Sequence, residues 1–315
     1  MPVFRSVLRP LLARTTAVSL LGLCLASPPA SAQDAPAQRR PGEILDLQRG
    51  ETLSPNDLYE RLQRQQLILI GEQHDNPEHH AVESLLLEAL VTPGSHAVLE
   101  MLTPNLPLAD LGVTTSKDEL EAALRDGTRG WNWDSYGHIY YQILQQGGKL
   151  VSGNLSGEEI QAIYRGEDDN LPQGELDSRA AIDDEVRRRT AEVIGEQHCN
   201  DIPAERLERM VEIQLARDAR MANRLESYRG PKQAVLLSGS YHARKDTGVP
   251  MHLKDGASAV LLLVPVENDG KVAGAQEVLS PAVADYIWFT SATEAKDYCS
   301  ERAAASSAKA TATTE

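Results

Sequence analysis

Four short apolar runs in this 315-residue chain end in residues able to do chemistry. The first opens into Gly71-Glu72-Gln73-His74-Asp75, the second into Glu100, the third into Gly153-Asn154 and the fourth into Gly239-Ser240-Tyr241-His242. Carboxylates beside imidazoles can trade protons, activate water or hold a metal. Glu72 and His74 are two residues apart, so an extended backbone turns both to the same side. Glu100 follows Ala97-Val98-Leu99, and an acid placed that deeply must be paired, hydrogen-bonded or protonated. Neither a G-x-S-x-G elbow nor an H-E-x-x-H helix occurs, which leaves water activation as the chemistry open to Glu72, His74, Glu100 and His242 if they are catalytic. A rim network without catalysis is the other use of these four, and capping a helix that opens near Pro77 is an alternative use of His74. His79 and His80 are expected on the first turn of that helix, facing water.

What must position these residues is a set of buried strands: Leu67 to Ile70, Ala97 to Leu99, Leu150 to Val151, Ala234 to Leu237 and Ala259 to Val264. Helical patterns separate them, notably His80 to Val91 and Lys117 to Arg125. The alternation predicts an α/β fold, a mostly parallel sheet flanked by helices, with its ligand site where the strand ends meet on the carboxyl rim. Residues 178–229 break the alternation. Ile182, Val186, Val193 and Ile194 share one helical face and Leu207, Met210, Val211, Met221 and Leu225 another, which predicts a helical hairpin inserted in or capping the sheet. Gln214, Arg217 and Asp218 fall on or beside that second stripe and need partners, as a structural network or as ligand contacts. Trp131, Trp133, Tyr136, Tyr140 and Tyr141 crowd the stretch before the third strand, where aromatic side chains pack and tyrosines can also ligate haem iron.

The ends bound the setting. Arg5, Arg9 and Arg14 precede an apolar stretch from Ala17 to Ala26, and Ala30 and Ala32 form an A-x-A cleavage site before Gln33. Residues 1–32 thus read as a signal peptide, residues 33–300 as a single domain and residues 301–315 as a flexible tail. Cys24 raises lipid anchoring as an alternative to a soluble periplasmic protein, against which Leu23 is too large for the preceding position. The leader removes three of the 31 basic residues and none of the 46 acidic ones, and an acidic surface of this kind excludes nucleic acid as a partner. In an oxidising compartment Cys199 and Cys299 would pair if the C-terminal segment packs near Cys199.

The run Leu69 to His80, with Leu99-Glu100-Met101 thirty residues on, resembles the ChaN family of haem-binding iron-uptake proteins within the erythromycin esterase, ChaN and Tiki-like superfamily. Trp133 to Tyr136, Gly153-Asn154-Leu155, His198-Cys199, Gln214 with Arg217-Asp218 and Met221-Ala222, and His242 to Pro250 extend the likeness in order over roughly residues 44–265. One departure is Ser240-Tyr241 before His242, which brings a phenol close to the pocket. The resemblance implies ferric haem binding in iron uptake, a homodimer with haem held between subunits, haem-uptake transport components as partners, and iron ligated by tyrosine. Tyr136, Tyr140, Tyr141 and Tyr241 are the candidates for that ligand, and Arg217 and Arg244 for the propionates. It equally implies a wider superfamily of esterases and proteases with glutamate and histidine at these strand ends, so a metal- or water-activating hydrolase is the second reading.

Overall fold

The computed structural model describes residues 38–128, 130–254, 258–272, 276–294 and 299–300. The leader, with Cys24 and the cleavage site, and the C-terminal tail lie outside the described residues. In chain order the elements are β1 (Ile44–Asp46), β2 (Glu51–Leu53), α1 (Pro55–Leu62), β3 (Leu67–Glu72), α2 (Pro77–Leu90), β4 (His96–Leu99), α3 (Lys117–Leu124), α4 (Trp133–Gln145) and β5 (Lys149–Ser152). There follow α5 (Gly157–Arg165), α6 (Gln173–Ala180), α7 (Asp184–Gln197), α8 (Ala204–Ser227), β6 (Ala234–Gly239), the short α9 (Ser240–Ala243), β7 (Ala259–Val266) and β8 (Tyr286–Ser291).

The eight strands among the described residues form one sheet in the order β2-β1-β8-β7-β3-β6-β4-β5, parallel from β8 to β5 and antiparallel where β1 joins β8 and β2. The five strands read from the sequence are its central and far strands. β1 and β2 are too short to show a period, whereas Ile287-Trp288-Phe289 of β8 is a β-forming run whose strand the sequence expectation lacked.

Alternation along the strands builds two cores. Ile68, Ile70, Val235, Leu237 and Leu261 face α1, α2, α3 and α4, while Leu67, Leu69, Leu236, Val260 and Leu262 face Met221, Ala222 and Leu225 of α8. Such burial on both faces is what makes these strands apolar without alternation.

The helical hairpin is present as α7 and α8, joined through Ile182, Val186, Ile194, Val211 and Leu215. It is not alone, because α5 and α6 also pack on α8: the buried Arg220 bonds Glu159 at 2.7 Å and Glu175 at 2.8 Å. The carboxyl part of α8 packs on the sheet through Met221, Ala222 and Leu225, and its earlier part packs on α7 through Val211 and Leu215. Cys199, at the turn between α7 and α8, forms a disulfide with Cys299, with Cα atoms 5.6 Å apart.

Candidate functional site

Strand register brings the predicted residues together. β6 lies between β3 and β4, pairing Glu72 with Gly239 and Leu99 with Leu237, so the chain leaving β6 carries His242 to the rim beside Glu100, while His74 stands between Glu72 and Glu100. Glu72, Glu100, Asn154 and His242 are buried, and His74 is the half-exposed member facing outward. Gly239 permits this crowding: a Cβ there would come 2.9 Å from His74 Nε2, and its backbone N–H donates to Glu100 Oε2 at 2.8 Å. Asn154 supports the second strand end by donating from Nδ2 to the Glu100 carbonyl at 2.8 Å.

The polar groups form a chain of charge pairs. Glu72 Oε1 accepts from the Tyr136 hydroxyl at 2.6 Å and lies 2.8 Å from His74 Nδ1. His74 Nε2 stands 3.6 Å from Glu100 Oε2, and His242 Nε2 stands 3.4 Å from Glu100 Oε1. On its other side His242 Nδ1 meets Asp218 Oδ1 at 2.5 Å, and Gln214 Nε2 lies 2.8 Å from His242 Nε2. Asp218 and Gln214 thus join the rim from α8, one turn apart.

Electrostatics follow from this pairing. Burial works to raise both glutamates, but the pairing outweighs it: His74, His80 and Tyr136 hold Glu72 at about 2, and His242, His74 and the Gly239 N–H hold Glu100 at about 2. Burial alone would lower His242, yet Glu100 and Asp218 together lift it to about 10. Desolvation raises Asp218 to about 6 against the pull of His242 and Arg217. His74 is likewise raised, the effect of Glu72 and Glu100 exceeding that of its burial. At neutral pH His242 is therefore an imidazolium held between the Glu100 and Asp218 carboxylates, and His74 is biased toward its charged form.

Placement of the four tyrosines separates them. Tyr136 and Tyr140 are core side chains of α4, each 1% exposed, with the Tyr136 hydroxyl committed to Glu72. Burial raises the hydroxyls of both, the Glu72 charge adding to it. Burial therefore removes these two from the phenols that can reach a ligand at the surface. Tyr141 is half-buried beneath the Lys117 ammonium, 5.2 Å from its ring centre. Tyr241 is 41% exposed, with the Arg244 guanidinium 5.6 Å from its ring centre. Arg244 is itself buried and forked onto Asp246 at 2.9 and 2.7 Å, while Arg217 is half-buried near Asp218.

His79 and His80 do not face water. His79 is fully buried, accepting at Nδ1 from the Gln73 N–H at 2.8 Å and bonding Thr290 Oγ1 through Nε2 at 2.8 Å; burial lowers it to about 4. His80 turns under β3 toward Glu72, 3.1 Å from Oε2, beside Glu83 of the next turn. The spacing 79, 80, 83, 86, 87 and 90 is the i, i+3, i+4, i+7 stripe of a buried helix face, a signal legible in the sequence that would have placed both histidines and the unpredicted Glu83 inside.

A family model described as haem-binding uptake, Tiki superfamily, ChaN matches residues 58–253, more than half of the chain and all of the rim. The chain belongs to the ChaN family. Among solved structures, one titled cofacial heme binding to ChaN of Campylobacter jejuni is 26% identical over 78% of this chain and 95% of that one, with a TM-score of 0.63. The type III effector HopBA1 is 12% identical over 75% of this chain and 92% of its own, at a TM-score of 0.38. RRSP, a MARTX toxin effector domain from Vibrio vulnificus, is 14% identical over 80% of this chain and 42% of its own, at 0.37. These two fall below the similarity that carries a structural argument. No curated protein matches the chain. ChaN membership gives the chain its general place in haem and iron uptake.

Proposed function

We propose that this protein binds ferric haem outside the cytoplasm for iron uptake, through Tyr241 on the open surface beside the rim. The observation that carries the reading is the likeness, over 95% of its length, to a ChaN whose structure is described by cofacial haem binding. Among the candidate tyrosines Tyr241 is the most exposed, and a phenolate is a hard anionic donor suited to ferric iron. Its hydroxyl is raised by burial of the ring while the Arg244 charge pulls it back, so iron must displace a proton to bind. Arg244, beside Tyr241, and the half-buried Arg217 are the cations proposed for the propionates.

A haem held on an open face by one phenol leaves its other face bare, which favours a second copy of the chain closing over it as a homodimer. Delivery to haem-uptake transport components would follow from such a role, in the periplasm after loss of the leader. No helix among the described residues is long and apolar enough to cross a membrane.

The Glu100–His242–Asp218 relay favours a second reading, a hydrolase in which His74 and Glu72 activate water. Titration of the mature protein with ferric haem separates the two. Saturable binding at micromolar haem, with a rise in oligomeric mass, is expected; no binding, together with ester or peptide hydrolysis lost in Glu72→Gln, would replace the haem reading by the hydrolase.

A further inference from the structure

Beneath the rim, on the α2 side of β3, lies a second polar cluster that the charge-pair chain does not use. Glu83 is fully buried, and neither of its carboxylate oxygens has a hydrogen-bond partner. His80 Nε2 and Glu72 Oε2 approach each other to 3.1 Å as a charge pair, yet neither atom has a hydrogen-bond partner. The Tyr140 hydroxyl, buried in the same layer, is unpaired as well. One ligand atom from each of Glu72, His80 and Glu83 lies within 4.8 Å of the others. An acid with no partner in an apolar layer is costly unless something offsets its charge, and native interiors rarely leave several such groups together.

Two carboxylates and one imidazole supply a charge of −2 and an O,O,N donor set, which suits manganese, iron or zinc rather than a soft thiophilic ion. Their placement is rigid, since Glu83 and His80 sit one turn apart on α2 and Glu72 is fixed in β3 by its other oxygen. We propose that Glu72, His80 and Glu83 bind a single divalent first-row transition-metal ion inside the domain, separate from the exposed Tyr241 surface. Glu72 then serves both regions, with Oε1 turned to the rim and Oε2 to the ion, and the inference stands or falls independently of haem binding.

Chelator-stripped mature protein titrated with manganese and zinc ions by calorimetry, with metal content measured by mass spectrometry after dialysis, tests this. The expected result is one equivalent retained and a higher unfolding temperature, with affinity about tenfold or more weaker in Glu83→Gln and in His80→Gln, since loss of even an outer-shell partner weakens metal sites that much. Tyr241→Phe, which touches none of the three ligands, should keep the ion. Absence of saturable binding by the wild-type protein would overturn the proposal and leave a protonated Glu83 as the resident of the cluster. Binding lost in His74→Ala but kept in Glu83→Gln would overturn it too, by moving the ion to the rim.

Discussion

The rim and the Tyr241 surface lie within a few residues of one another in sequence yet are built on opposite principles. Around Glu72, Glu100, His242 and Asp218 every charge is buried and opposed by another, whereas Tyr241 stands in solvent with one cation near its ring. A buried charge network fixes shape and tolerates little change. An exposed side chain on a rigid support can take a ligand, and can be altered without loss of the fold. The difference predicts that substitutions at the rim act on stability and those at Tyr241 on binding.

The largest expected effect is at Asp218. Asp218→Ala leaves the protonated His242 buried with half its compensation gone, and such breaks cost about 3–5 kcal/mol, readable by urea unfolding. If Asp218→Ala unfolds at the wild-type urea concentration, the rim is not the rigid partner in the comparison.

Next comes the pH profile. The folded value of His242, about 10 against an ordinary 6.5, contributes stability that is complete below pH 6.5 and is lost as pH rises through 10. Glu72 and Glu100, held at about 2 against 4.5, contribute stability that is present above pH 4.5 and lost as pH falls through 2. Asp218, raised from 3.8 to about 6, and Glu83, raised well above 4.5, withdraw stability as pH rises past their ordinary values. His79 and His252, buried and held at about 4, withdraw stability in turn as pH falls below 6.5, so the urea midpoint should be greatest near neutral pH and fall steadily from there to pH 10. A flat profile from pH 7 to 10 would contradict a charged His242.

Gly71→Ala probes packing behind the rim. The added Cβ would come 2.6 Å from Leu262 Cδ2, 2.8 Å from the Ala243 Cβ and 3.0 Å from the Ser240 backbone, which should cost about 1–3 kcal/mol in urea unfolding. Smallest of all should be the effect of Tyr241→Phe on stability, within about 0.5 kcal/mol by the same measurement, because the hydroxyl it removes stands on an exposed side chain.

The fold was legible where the chemistry of the chain is local. Continuous apolar runs announced five strands, and the acids and histidines that follow them announced the rim. Strand order was not legible, so nothing in the sequence said that β6 separates β3 from β4 and brings His242 against Glu100. Asp218 stood out as a polar residue on an apolar stripe, but its partner lies 24 residues away across the crossover from α8 to β6. The tyrosine candidates could not be separated, because Tyr136 and Tyr140 share with Tyr141 a helix whose burial depends on the sheet beneath it. His79, His80 and Glu83 were readable from their spacing; taking a first helical turn to be exposed hid them.

The central claim is that the exposed phenol, and not the rim histidine, receives the iron, and absorption titration with ferric haem of Tyr241→Phe beside His74→Ala tests it most directly. The account predicts that the wild-type protein and His74→Ala both give a tyrosinate-type spectrum and that Tyr241→Phe does not. A tyrosinate spectrum surviving in Tyr241→Phe, or one lost only in His74→Ala, would contradict it.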